Sequence, residues 1–190
     1  MTAAAEAAGE DRTRLLVVAL VGAAVAVAVG VYGSVHDPTG EQVYTLFFTA
    51  TINLKVWFAT LCVVFAVLQL LTALRLFGRI SVPKEMPSWL GDFHRLSGTL
   101  AFGFSLPVAY HCLWALGFNP DTAPNPYALV HSLAGCFFYG AFATKVLAVR
   151  SRDLPSLVLP IVGGAVFTSL VVVWLSSAVW FWTDVEFPGF

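Results

Sequence analysis

The sequence predicts an all-α integral membrane protein: a bundle of five transmembrane helices with the N-terminus cytoplasmic and the C-terminus outside. Three observations predict it. Of the 190 residues, 58% are hydrophobic and only 11% charged, whereas a soluble domain carries roughly a quarter charged residues. The apolar residues come in blocks of about 20, the helix length that crosses roughly 30 Å of hydrocarbon. The ~10-residue alternating segments of a membrane β-barrel do not occur.

Residues 1–14, MTAAAEAAGEDRTR, are expected to form a mobile cytoplasmic tail, and residues 15–190 a single five-helix transmembrane domain. The first span is expected over residues 15–31. Its basic flank and small residues are those of a signal peptide, but its apolar stretch exceeds the usual ~7–15 residues, which favours a retained anchor. The second span is expected over 56–78, the third over 96–117 and the fourth over 126–147. The fifth, over 154–182, is long enough to tilt, or to bend at Pro160 and the Gly163–Gly164 pair. That pair is expected to let another helix approach closely. Gln69 and Ser97, polar residues within the spans, are expected to bond across helices.

Orientation follows from charge. Arg12 and Arg14 precede the first span; Arg75, Arg79, Lys84 and Arg95 lie between the second and third; Lys145, Arg150 and Arg152 lie at the junction of the fourth and fifth. The other side has only Lys55, with Asp37, Glu41, Asp121, Asp184 and Glu186. Nine of ten basic residues thus share one side, which the positive-inside rule makes cytoplasmic. Trp180, Phe181 and Trp182 fit an outer aromatic belt. The chain has no phosphate-binding glycine loop, carboxylate cluster or basic surface for nucleic acid, so its expected surroundings are the lipid bilayer. Cys62, Cys112 and Cys136 make no CxxC pair; for Cys62 and Cys136 small apolar packing is the ordinary role.

The candidate site rests on histidines. Three of the four, His94, His111 and His131, fall in or beside the third and fourth spans. His94 and His111 are 17 residues apart, or about 25 Å along a helix. His111 lies about six residues before the third span ends, and His131 five residues after the fourth begins. Antiparallel helices therefore bring these two to similar depth, where they are expected to ligate one metal centre. A haem b suits such a site better than a bare ion, because its macrocycle is apolar; zinc or copper asks for further protein donors at the same level. A lone histidine near a membrane interface more often bonds a neighbouring helix or reaches for water, but ionisable residues inside spans are functional candidates.

The remaining candidates have two roles open. Fourteen residues beyond His131, where a second haem would find a histidine, stands Lys145. It either snorkels to the cytoplasmic interface or binds a haem propionate or a quinone oxygen. His94 is a lone ligand, a quinone partner or an interface residue. His36 is a loop residue or serves the outer site. Lys55 snorkels outward or acts as counter-ion to a propionate or quinone.

The segments LKVWFAT (54–60), HRLSG (94–98), PVAYHCLW (107–114) and VHSLAGCFFYGAF (130–142) resemble an uncharacterised family of small actinobacterial membrane proteins. The likeness covers most of the chain after residue 43 and brings no activity with it. More loosely, HRLSG followed by further membrane histidines is similar to b-type cytochromes of the ferric-reductase-like and hydrogenase-cytochrome kinds. That resemblance implies haem held by paired histidines and electron exchange with quinones or other membrane redox subunits. Lys145 departs from its two-haem pattern. The expected function is therefore electron transfer, as a small cytochrome or anchor subunit of a respiratory or reductase complex, with catalysis by the chain itself left open. Its rivals are a cofactor-free accessory or assembly protein and a small transporter.

Overall fold

The computed structural model describes residues 3–41, 44–117, 126–151 and 154–184. Asp121, Arg152 and Glu186, used above for orientation, lie outside them. Among the described residues every regular element is helical. Five helices are long and apolar enough to cross a membrane: Asp11–Val35, Thr51–Leu76, Leu90–Leu116, Tyr127–Arg150 and Val158–Thr183. They contain 24 to 27 residues each, about 36 to 40 Å of helix, enough to cross with some tilt.

In chain order, α1 is Ala3–Val35, α2 Thr51–Leu76, α3 Leu90–Tyr110, α4 Pro126–Arg150, α5 Val158–Trp174 and α6 Trp180–Asp184. The helix of α1 extends through the alanine- and glutamate-rich residues before the first span, a composition with high helix propensity. The second span starts at Thr51 rather than 56, which puts Lys55 inside the helix. Two π-helical segments continue helices: His111–Leu116 after α3, and Leu175–Val179 between α5 and α6.

The chain divides into two compact units. Unit 1 comprises Met1–His36 and Phe118–Val173; unit 2 comprises Asp37–Gly117 and Trp174–Phe190. Consecutive helices α3 and α4 therefore take different partners: α3 packs on α2, and α4 on α1.

Unit 1 is built on small residues. A Cβ placed on Gly140 would lie 2.8 Å from Ala26 Cβ and 2.5 Å from the Gly22 carbonyl oxygen, and one on Gly22 would lie 2.7 Å from the Gly140 carbonyl oxygen. Backbones meet here because glycine has no side chain to keep them apart. Gly22–Ala26 and Gly140–Thr144 are both small-xxx-small pairs, the membrane signature of close helix contact. The glycine pair expected from sequence to serve that purpose is elsewhere and open: among the described residues nothing lies within 4 Å of a Cβ on Gly163 or Gly164.

Unit 2 is built on a heptad. Thr51, Lys55, Phe58, Cys62, Phe65, Gln69 and Thr72 recur at alternating spacings of four and three, as do His94, Ser97, Ala101, Phe104, Val108 and His111 at three and four. This repeat keeps one stripe of each helix on its partner. Along the seam, Phe104 stacks on Phe65 at 5.8 Å between centroids and meets Phe58 edge-on at 5.2 Å. The Cys62 thiol donates to the Ala101 carbonyl at 3.2 Å. Phe48, Leu54 and Phe58 close the core, with Val108 against them. Trp174 Nε1 donates to Thr60 Oγ1 at 3.1 Å, and Ala178 and Phe181 pack on Val56.

Candidate functional site

The seam of unit 2 is apolar in the middle and polar at both ends, and the two ends differ. At the Thr72 end Thr72, Gln69, His94 and Ser97 are all tied. The Thr72 hydroxyl donates to the Leu68 carbonyl at 2.7 Å. Its oxygen, 2.7 Å from His94 Nδ1, therefore accepts the ring N–H, because its one proton is already used. The Ser97 hydroxyl donates to the Phe93 carbonyl at 2.8 Å and accepts from Gln69 Nε2 at 2.9 Å. Gln69 also donates to the His94 carbonyl. A Cβ on Gly98 would sit 3.0 Å from Gln69 Oε1, so glycine makes room for the amide. Arg95 pairs with Asp92 on the exposed side. The HRLSG motif thus fastens α3 to α2: His94 to Thr72, and Ser97 and Gly98 to Gln69. The cross-helix bond expected of Gln69 and Ser97 is present.

At the other end the polar groups are untied. His111 is 1% exposed, and neither ring nitrogen has a hydrogen-bond partner. The Tyr44 peptide approaches the ring but outside bonding geometry. Thr51 Oγ1 is likewise buried without a partner. Lys55, half-buried one turn along from Thr51, continues the same α2 stripe at the end of the seam where the α3 stripe reaches His111. Leaving a polar group buried and unpaired costs about 1–3 kcal/mol, which makes the His111 ring and the Thr51 hydroxyl candidates for a ligand.

The backbone around His111 is special too. Pro107 sits inside α3 and lacks an N–H, which removes a ladder bond and loosens the turn. Four residues later the π-helical segment begins at His111; such segments are frequent at functional sites. Gly117 ends it with φ 65°, its N–H donating to the Cys112 carbonyl at 3.0 Å. The N–H groups of Thr39 and Gly40 then bond the Trp114 and Ala115 carbonyls at 3.2 and 3.0 Å. The loop following α1 thereby caps this end of the third span. Tyr44, farther along the same connection, places its ring 4.7 Å from that of His111 and stacks on Tyr110 at 6.1 Å.

The other sequence candidates belong to unit 1. His131 is half-buried on α4, with Nδ1 3.2 Å from the Val173 carbonyl. A carbonyl only accepts, so Nδ1 carries the proton of this bond, which orients the ring through that nitrogen. Lys145 is half-buried farther along α4. His36 stacks on Tyr32 at 5.1 Å. Among the described residues none of Cys62, Cys112 and Cys136 is joined in a disulfide.

Sequence reasoning missed Thr51 and Tyr44. Thr51 was reachable by running the heptad phase of Gln69 and Cys62 back to the start of α2. Tyr44, outside the spans, carries no periodic signal.

Does this donor set fit a haem? Among the described residues no three His, Cys, Asp or Glu side chains come together, as an ion held by protein donors alone requires. A haem iron asks the protein for only one or two imidazoles. His111, buried with both nitrogens unengaged, fits that demand.

Five helices long and apolar enough to cross a membrane define a multi-pass helical membrane protein. Within that class, the chain belongs to a family of unknown function, DUF6529, whose profile matches residues 15–189. No curated protein and no solved structure matches it.

Proposed function

We propose that this is a membrane electron-transfer protein of the bacterial plasma membrane that holds haem b through His111, with His131 as second axial ligand. In this reading it serves as a small cytochrome or as the anchor subunit of a respiratory or reductase complex, exchanging electrons with a membrane quinone or another redox subunit. The observation that carries the reading is the His111 imidazole, buried and unpartnered at both nitrogens. Haem b, when bound, supplies a one-electron couple. The chain supplies a ring lone pair from His111 and aromatic cover from Tyr44 and Tyr110, which keeps water from the ring. His131 joins the assignment on its depth in the sequence, five residues into the fourth span.

The test is a visible spectrum of the full chain, purified in detergent after expression with ample haem. A low-spin haem signature is expected, lost alike in His111→Ala and His131→Ala, with the double variant no worse than either single. His94→Ala is expected to keep it, because His94 is engaged by Thr72 in the lock between α2 and α3. A colourless wild-type protein would sink the reading in favour of a cofactor-free accessory or assembly protein. Loss in His111→Ala with retention in His131→Ala would reduce the ligand set to one histidine.

A further inference from the structure

We propose that Lys55 and Thr51 form an acid-anchoring subsite beside His111, which takes a carboxylate of the macrocycle held there. This rests on the haem reading above and deepens it.

The argument starts from what the unpartnered groups have in common. Lys55 carries three N–H donors and no acceptor, and Thr51 has a hydroxyl proton to give. Thr51 and Lys55 are four apart on α2, hence stacked on one helix face with Cβ atoms about 5–6 Å apart. The heptad fixes which face: it is the one that Phe58, Phe65 and the Cys62 thiol press against α3. Both donors therefore look along the seam toward the level of His111, rather than into lipid. Among the described residues no carboxylate pairs with Lys55.

An ammonium at the end of a membrane seam is costly without a counter-charge. Nearby Asn53 does not supply one; its side-chain amide donates to Thr49 Oγ1 at 2.9 Å. The missing partner is thus an anion with at least two acceptor oxygens, one for the ammonium and one for the hydroxyl. A carboxylate has that shape. Haem b carries two, on flexible arms at one edge, while its iron takes the imidazole. At the opposite end of the seam Thr72, Gln69, His94 and Ser97 are already engaged with one another and with backbone carbonyls.

The experiment compares haem b with its dimethyl ester, in which both carboxylates are masked. Each is titrated into the full-length protein purified from haem-deficient cells, and binding is read from the Soret band. Wild type is expected to bind the free acid about tenfold more tightly than the ester, the ratio that one ion-paired contact of about 1.4 kcal/mol produces. Lys55→Gln should bring the two affinities together, Lys55→Arg should keep most of the preference, and Thr51→Val should reduce it. Equal binding of acid and ester by wild type, or an undiminished preference in Lys55→Gln, would overturn the subsite while leaving the haem reading standing. Binding of neither compound by wild type would remove both.

Discussion

Tyr44 lies outside the spans yet covers the most deeply buried imidazole of unit 2. Burial, and then the neighbouring phenol of Tyr110, push its hydroxyl above the ordinary tyrosine value of 10.0. Folding therefore favours the neutral phenol. Its contribution to stability is complete below the pH at which an unfolded tyrosine ionises, about 10, and is lost as pH climbs through the higher folded value. An absorbance titration of phenolate should show Tyr44 ionising late, and Tyr44→Phe should delete that late component. The same variant should flatten the alkaline loss of stability. An unchanged alkaline limb would mean that the Tyr44 hydroxyl senses neither its burial nor Tyr110.

Helix pairs, rather than single helices, carry the specificity of this fold. The α1–α4 contact depends on two absent side chains, at Gly22 and Gly140, so Gly140→Leu forces backbones apart. Overpacking of this kind costs about 1–3 kcal/mol, and a denaturing detergent titration should detect it. Gly163→Ala, in open surroundings, should change stability by less than about 1 kcal/mol. Comparable losses in both variants would contradict the assignment of the crossing point. Here the limits of the sequence are visible. Hydropathy located all five spans but started α2 late, because Asn53 and Lys55 disguise its first turn. The small-xxx-small pairs at Gly22 and Gly140 are legible in the sequence, but so is the Gly163–Gly164 pair, and sequence alone does not rank them. The heptad in α2 and α3 was also readable, though its polar end members hide it from an apolar count. The π-helical turn at His111 was not, since it depends on how the backbone relaxes downstream of Pro107. Depth-matching put His111 and His131 on one list; it gave no hint that His94 is a fastening residue.

For the whole molecule, nine of ten basic residues on one side of the spans set the expected orientation. A reporter fused after Phe190 should be active only outside the cytoplasm, and one inserted near Lys84 only inside. The reverse pattern would overturn both the sidedness and the placing of Lys55 in the outer leaflet. Family membership over residues 15–189 extends these expectations to other chains that carry the same seam and crossing. One further consequence comes from the interleaving of the two units. Residues 37–117 of unit 2 separate α1 from α4, its partner in unit 1. From Val35 to Pro126 the ribosome must add 126 − 35 = 91 residues, which at about 5–20 residues per second takes roughly 5–18 s. The α2–α3 pair is complete before that interval ends. During it the nascent α1 stays unmated in the bilayer, its Gly22–Ala26 stripe bare to any passing helix, so birth order makes α1 the helix most open to capture by a neighbouring chain.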